Sequence, residues 1–292
     1  MPIYEQSYKP WEAHALLRWR WRPIAAQELR IAMTSRLFKF LLVLACLPSL
    51  LFFFIFLSVD MLASNPDSLA GMLMEEANII SIDDLMFWRF LRLSSPLVML
   101  FCLSIGSGLI CNDMRNNLLE IYFAKPLTST DYFIGKLAAV LYFPLLITVG
   151  PAFLFFFLHV IMTPDGSAEF LRTYGYLLIA MPAYALAIAL PPATLAMLCS
   201  ALSRSTRFAA VSFCAILFMN RALAEFISEI TRRPNLKFWS VGHSTDVLGL
   251  VLIRNEVPED MYWPYAIYAL AAWCILAAGM TFYRVRAVEV GS

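Results

Sequence analysis

The residues of this 292-residue sequence that could take part in catalysis do not occur in the patterns of the catalytic sites considered below. Its three histidines, His14, His159 and His243, do not occur in an H-E-x-x-H pattern, which argues against a zinc protease. Ser107 and His159 would lie near opposite ends of two apolar segments, so they could not share a proton. Because no G-x-x-x-x-G-K-[ST] loop occurs, we expect this chain to hydrolyse no nucleotide and to be no enzyme.

The cysteines also give no sign of a metal or redox centre. None of them has C-x-x-C spacing, and all fall within or beside apolar stretches, where a thiol behaves as a small apolar side chain. They are Cys46, Cys102, Cys111, Cys199, Cys214 and Cys274. We therefore predict that the chain binds no metal and no cofactor.

One charged stripe interrupts an otherwise apolar stretch. Arg221, Glu225 and Glu229 recur every four residues, so they would share one helix face and Arg221 could pair with Glu225. Only 13 uncharged residues separate Arg207 from Arg221, which is too few to cross a bilayer, so the helix must continue past Arg221. The stripe is either a pair of structural charges near the membrane surface or part of a translocation path.

Six apolar stretches determine the fold class. Each is about as long as the roughly 20 residues that a spanning helix needs, and their lack of alternation excludes the strands of a barrel. The sequence therefore predicts an all-α polytopic membrane protein with six transmembrane helices. The predicted spans are residues 37–59, 93–112, 137–160, 175–202, 208–227 and 262–283.

Composition and charge give the location and the topology. The chain is 61% hydrophobic and only 15% charged, outside the range of soluble domains. The segments between the predicted spans alternate in net charge. Of the 22 Lys and Arg, 14 lie on the side of both termini, whereas 14 of the 21 Asp and Glu lie on the other side. By the positive-inside rule both termini are cytoplasmic. We expect a multi-pass protein of the plasma membrane (the inner membrane in a Gram-negative bacterium), in contact with the lipid bilayer and with no nucleic-acid partner.

The N-terminal arm, residues 1–36, is distinct from the six-helix domain of residues 37–292. It mixes aromatic and basic side chains, as expected of an amphipathic helix in the lipid headgroup layer. Pro23 should divide the arm, with residues 24–35 the better helix. The arm either anchors the first span or acts as an elbow helix that gates lateral access. The candidate anchor residues are Trp11, Arg18, Trp19, Arg20, Trp21 and Arg22.

A short segment between the second and third spans, residues 113–136, has the most specific pattern. Met114, Leu118, Ile121 and Tyr122 would share one face of a helix that Asn112 or Asp113 caps and that Pro126 ends. Ser129 or Thr130 would then cap the third span, with Asp131 at its positive end. The apolar face must dock on the headgroups, on the bundle of this chain or on a partner protein.

The apolar residues Val247 to Ile253, in the connection before the last span, are too few to cross a bilayer. They either dip into the membrane or cover the end of the bundle.

This layout resembles the permease subunits of ABC-2 type transporters over nearly the whole length. The family pattern also has an amphipathic arm, six spans, cytoplasmic termini and a long outer loop before the last span. The local motif consists of small residues ending span two, an acidic residue, a leucine-bearing helix, a basic-Pro pair, and Gly-Lys opening span three. Its residues here are Gly106, Ser107, Gly108, Asp113, Leu118, Lys125, Pro126, Gly135 and Lys136.

The resemblance implies a permease subunit of an exporter, which couples ATP hydrolysis by a separate subunit to movement of a substrate across the membrane. It implies two ABC ATPase subunits that carry ATP and Mg²⁺, and a second permease copy or paralogue that completes a dimer. The residues implied in coupling to the ATPase are Asp113, Leu118, Glu120, Tyr122, Lys125 and Pro126.

Three alternatives follow from the same sequence. A secondary, ion-coupled transporter would need a carboxylate near the middle of a span, and the predicted spans place none there. An ABC-type subunit that transmits mechanical work without a cargo would have the same layout as a permease. An intramembrane enzyme is the least favoured of the three.

Overall fold

The computed structural model describes residues 19–63, 82–123, 127–162, 167–255 and 262–291. Within these residues the chain is helical and contains no strand. The α-helices are α1 (Trp21–Thr34), α2 (Arg36–Ala63), α3 (Asp84–Leu109), α4 (Cys111–Arg115), α5 (Leu118–Phe123), α6 (Ser129–Met162), α7 (Ser167–Tyr174), α8 (Leu177–Leu202), α9 (Thr206–Thr231), α10 (Val241–Arg254) and α11 (Pro264–Gly291). A 3₁₀ helix, η1, spans Pro234–Trp239.

Six of these helices, α2, α3, α6, α8, α9 and α11, are long and apolar enough to cross a membrane, which confirms the predicted number. Several helices are longer than the predicted spans: α3 and α6 begin 9 and 8 residues earlier, and α9 and α11 end 4 and 8 residues later. Helix α3 begins at Asp84 rather than near residue 93, because Phe87, Phe90 and Leu91 in its first turns are fully buried. Helix α9 continues past Arg221 to Thr231, as the spacing of its charges requires.

Helix α8 forms the centre of the bundle, and 72% of its most apolar window is buried. It contacts α3, α6, α9, α10 and α11. Small side chains allow this packing: a Cβ atom added at Gly106 of α3 would lie 2.5 Å from the Cβ of Ala196. Beside this contact, the Ser200 hydroxyl donates to the carbonyl of Ser107 at 3.0 Å and accepts from the amide of Ile110 at 3.0 Å. The hydroxyl therefore satisfies backbone groups that the end of α3 leaves unpaired.

Phenylalanine rings join α2, α3 and α6. Phe56 stacks on Phe155 with centroids 5.1 Å apart, and Phe38 packs edge-on against Phe143 at 4.7 Å. Each such pair contributes on the order of 1 kcal/mol beyond the burial of its surface. At the end of the bundle opposite to α1, His159 Nδ1 lies 2.6 Å from Asp60 Oδ1 and adds a polar tie between α2 and α6.

The connection between α9 and α11 turns back into the bundle. Arg232 has a left-handed backbone (φ 52°) that ends α9, after which η1 runs back along that helix. At the tip of the hairpin, the side chain of Asn220 donates to the carbonyl of Trp239 at 3.0 Å and accepts from the amide of Val241 at 3.0 Å. Since Asn220 lies 11 residues before the end of α9, the tip reaches roughly 16 Å below that end.

Helix α10 returns from this tip and contains the apolar patch Val247 to Ile253. It packs between α3, α8 and α11, so the patch lies among the helices of the bundle. Close approach is possible because residue 249 is glycine: an added Cβ would lie 2.5 Å from Tyr184 and 2.7 Å from Trp88. The end of α10 is held by the Tyr176 hydroxyl, which donates to the carbonyl of Ile253 at 2.5 Å.

Candidate functional site

Lys136 lies two turns into α6 and is fully buried. Its ammonium group contacts Asp113 Oδ2 at 2.5 Å and Glu28 Oε1 at 2.6 Å, and it donates to the carbonyl of Leu109 at 3.0 Å. Three acceptors thus match the three N–H groups of the lysine. A buried charge is stable only with such pairing, so the surroundings of Lys136 form a satisfied ionic centre.

Two tyrosines complete this centre. The Tyr132 hydroxyl, also on α6, donates to Asp113 Oδ2 at 2.8 Å, and its ring lies 5.2 Å from the Lys136 ammonium. The ring of Tyr122, on α5, packs against Tyr132 at 5.6 Å. We call these five residues, Glu28, Asp113, Tyr122, Tyr132 and Lys136, the Lys136 junction. It connects α1, α4, α5 and α6, and through Leu109 the end of α3.

The arm reaches the junction because α1 packs directly on α6. A Cβ added at Gly135 would lie 2.9 Å from the carbonyl oxygen of Trp21 and 3.0 Å from Ile24 Cβ, so a glycine is needed for this approach. Ile24 and Ala25 are the buried residues of α1, and Glu28, one turn further, meets Lys136. The arm is therefore part of the bundle from Trp21 onward.

The prediction of one continuous helix after span two is wrong. The chain forms two short helices, Cys111–Arg115 and Leu118–Phe123, which are separated at Asn116 and Asn117. Asn117 has φ 54°, a conformation that asparagine tolerates better than most residues. The residue that precedes α4 is Ile110, so neither Asn112 nor Asp113 caps it.

The predicted coupling residues differ in how deeply they are buried. Asp113 is buried in the Lys136 junction, and Tyr122 and Met114 pack against the core of the bundle, so most of the apolar face docks on this chain itself. Leu118 is half-buried, while its neighbour Leu119, which the sequence analysis missed, is fully buried. Lys125, Pro126 and the side chain of Glu120 lie outside the described residues.

The exposed part of this segment is its turn. Arg115, Asn116 and Asn117 are all exposed and form the surface between α4 and α5. We call them the α4–α5 turn. A partner that bound this end of the bundle would meet these side chains first.

The start of α6 is capped one residue earlier than predicted. The Thr128 hydroxyl accepts from the amide of Asp131 at 3.2 Å, and the Asp131 carboxylate accepts from the Thr128 hydroxyl at 2.8 Å. This reciprocal pair is a capping box with Thr128, rather than Ser129 or Thr130, as the cap. It fixes the helix that carries Lys136.

The described anchor residues cluster at the start of α1. The guanidinium of Arg22 lies 4.9 Å from the ring of Trp19 and 5.9 Å from that of Trp21, and the two rings meet edge-on at 6.1 Å. Helix α1 begins at Trp21 and includes Pro23 in its first turn, where no amide donor is lost, so Pro23 does not break it as predicted. Arg20 is half-buried beside this cluster, and Trp11 and Arg18 lie outside the described residues.

The charged stripe of α9 has the predicted internal pair. Arg221 Nε donates to Glu225 Oε1 at 3.1 Å, and the two side chains are 72% and 58% exposed. Glu225 and Glu229 also line a cavity of about 220 Å³ together with Lys237 of η1 and His243 of α10. Burial lowers the pKa of His243, and within the described residues its Nε2 has no hydrogen-bond partner. Sequence reasoning missed these last two residues because only the hairpin brings them to the stripe.

In the described part of the chain no group of three or more His, Cys, Asp or Glu residues could hold a metal ion. The six cysteines are free thiols.

Comparison with protein-family models gave no match, and comparison with curated proteins gave none either. The functional assignment therefore rests on the residues of this chain and their geometry.

Proposed function

We propose that this chain is the transmembrane permease subunit of an ABC-2 type transporter that works as an exporter. In this proposal two separate ATPase subunits bind ATP and Mg²⁺, and a second permease copy or paralogue completes the membrane domain. The chain lies in the plasma membrane with both termini in the cytoplasm, so that α1 and the α4–α5 turn are on the ATPase side.

The Lys136 junction is the observation that carries the proposal. A permease without its own ATPase must receive motion at its cytoplasmic surface and pass it to its spans. Force on the α4–α5 turn acts directly on Asp113, two residues before Arg115, and Asp113 is bonded to Lys136 of α6. Separating such a buried pair costs about 3–5 kcal/mol, so these elements move together.

The same junction extends the motion to the arm. Glu28 binds the same ammonium group as Asp113, so a displacement of α4 changes the position of α1 as well as that of α6. Leu109 ties in the end of α3. A push on the α4–α5 turn would thereby tilt spans two and three and move the elbow helix in one step.

The charged stripe of α9 supports a second permease copy. Arg221 lies ten residues, or about 15 Å, before the end of a helix that is among the least buried of the bundle. Ionised groups at such depth usually face a protein interior or a water-filled cavity, since contact with lipid is costly. A second copy packed against α9 would cover the exposed Arg221–Glu225 pair and place the stripe beside a path between the two copies.

The test is purification of the native complex through a tag on this chain. We expect a co-purifying subunit with a G-x-x-x-x-G-K-[ST] loop, equal in amount to the permease, and ATP hydrolysis by the complex. Arg115→Glu in the α4–α5 turn should reduce this association. The matched control is Arg172→Glu, the same change at an exposed arginine of α7 at the opposite end of the bundle.

Two results would contradict the proposal. One is a complex without an ATPase that still transports its substrate in vesicles under an ion gradient, which would identify a secondary transporter. The other is an ATPase that remains bound equally well to the Arg115→Glu and Arg172→Glu variants, which would remove the α4–α5 turn from the contact.

A further inference from the structure

A second cavity lies on the side of η1 that faces α11. It has a volume of about 510 Å³, within the range of small-molecule sites and more than an inorganic phosphate would fill. Its main walls are Arg232 and Arg233 at the end of α9, Leu236 and Trp239 of η1, and Tyr265 and Tyr268 of α11. We call it the arginine cleft.

Among the described residues, the charged side chains that line the arginine cleft are all basic. Arg232 and Arg233 are exposed, and within the described residues neither guanidinium group forms an ion pair or a side-chain hydrogen bond. Glu225 and Glu229, the acidic residues that precede the two arginines on α9, line the other cavity instead. Two arginines adjacent in the sequence offer forked donors that match the oxygens of a phosphate.

The rest of the cleft is apolar and aromatic. Trp239 and Tyr268 are each 65% exposed, an unusual degree for large rings unless they meet lipid or a ligand. Tyr265 and Tyr268 lie in the first two turns of α11, at the level where a span enters the headgroup layer. Trp239 is held firmly, because its carbonyl accepts from Asn220 at 3.0 Å and from the Trp273 indole at 3.1 Å.

We propose that the arginine cleft binds an anionic phospholipid. The phosphate lies between Arg232 and Arg233, and an acyl chain follows the rings of Trp239 and Tyr268 along α11. The cationic end of the cleft is at the end of α9, and its apolar wall runs toward the middle of the bundle. A phospholipid headgroup would therefore meet the arginines while its acyl chain lies along the apolar wall. The proposal does not depend on the assignment as a transporter subunit.

The experiment uses the full-length chain purified in a neutral detergent and titrated with dioctanoyl-phosphatidylglycerol, with binding measured by native mass spectrometry. We expect saturable binding that falls at least tenfold in the double variant Arg232→Gln with Arg233→Gln, since each lost charge-assisted contact is worth about a factor of ten. Lys237→Gln is the matched control. It removes one charge from η1, but on the side of the other cavity, and should leave the affinity unchanged.

Further measurements distinguish binding of the whole lipid from binding of its acyl chains or its phosphate alone. Tyr268→Ala changes an exposed ring, leaves the arginines in place, and should weaken binding of the lipid. Dioctanoyl-phosphatidylcholine has the same chains and phosphate, but its choline cation would lie beside the two arginines and offset the phosphate charge, so it should bind at least tenfold more weakly. Equal binding of both lipids, or equal binding by the double variant and wild type, would overturn the proposal. Inorganic phosphate that competed at the same concentration as the lipid would show a phosphate site only, which also overturns it.

Discussion

Replacing Lys136 by methionine tests the ionic centre directly. Methionine keeps the length and the apolar stem of the lysine but removes its charge, so the carboxylates of Asp113 and Glu28 face each other without a cation. The two side chains are only 7% and 13% exposed, and water cannot replace the lost partner. Removing one member of a buried ion pair costs about 3–5 kcal/mol, and we expect a loss of this size in the free energy of unfolding.

The comparison with neutral variants shows whether charge is the cause. In the triple variant Glu28→Gln, Asp113→Asn, Lys136→Met no buried charge remains, so more than half of the lost stability should return. Arg115→Ala provides the control for an exposed charge. Arg115 lies in the α4–α5 turn and is exposed, so its loss should change the free energy of unfolding by no more than about 0.5 kcal/mol.

The assay is reversible unfolding in mixed micelles with increasing dodecyl sulfate, followed by tryptophan fluorescence. A Lys136→Met variant as stable as wild type would show that the junction does not hold the α4 segment and α1 on α6. A triple variant no more stable than the single one would show that packing of the lysine stem, rather than its charge, is what matters.

Three other results are expected. Asn220→Ala leaves the carbonyl of Trp239 and the amide of Val241 without this partner, and it should lower the free energy of unfolding by about 1–3 kcal/mol in the same assay; a neutral result would show that water satisfies the hairpin tip. Burial lowers the pKa of His243 from its usual 6.5, so the folded state takes up a proton less readily than the unfolded one, and stability should fall as the pH drops below about 6.5. His243→Gln should reduce this loss, and an unchanged pH profile in thermal unfolding would contradict it. In a chain without its native cysteines, an impermeant thiol reagent added to intact cells should label a cysteine at Glu169 and spare one at Asn116, whereas the reverse pattern would invert the topology.

The spans and the α9 pair could be predicted because both follow from local sequence. Length and apolar composition suffice to recognise a membrane helix, and side chains four residues apart on a helix must be neighbours. The spacing of Arg207 and Arg221 even required the extension of α9 that the structure has.

The Lys136 junction could not be predicted in this way. Glu28 and Lys136 are 108 residues apart, and no periodic pattern connects them. The sequence offered Asp113 as a helix cap, and the resemblance implied it in coupling to an ATPase; neither pointed to Lys136 or Glu28. The helix was also expected to continue through residue 117, where the chain instead turns. Two successive asparagines, Asn116 and Asn117, were the available signal for that break.

The hairpin of η1 and α10 has a recognisable signal in the sequence. An asparagine near the middle of a span, Asn220, and two serines, Ser240 and Ser244, beside an apolar patch are residues that satisfy irregular backbone. In the structure the Ser240 hydroxyl caps α10, and that of Ser244 donates to the carbonyl of Phe238 at 2.6 Å. Polar side chains at such positions indicate a connection that turns back among the helices instead of running over their ends.

The position of this hairpin has a consequence for biogenesis. The carbonyl of Trp239 receives hydrogen bonds from Asn220 of α9 and Trp273 of α11, and α10 packs against α11 on one side. Helix α11 is synthesised after α9, η1 and α10, so the contacts of the hairpin with α11 can form only once that helix has been made. Assembly of this half of the bundle is therefore completed after translation of α11, and a variant truncated before Pro264 would lack the helix that forms one wall of the hairpin.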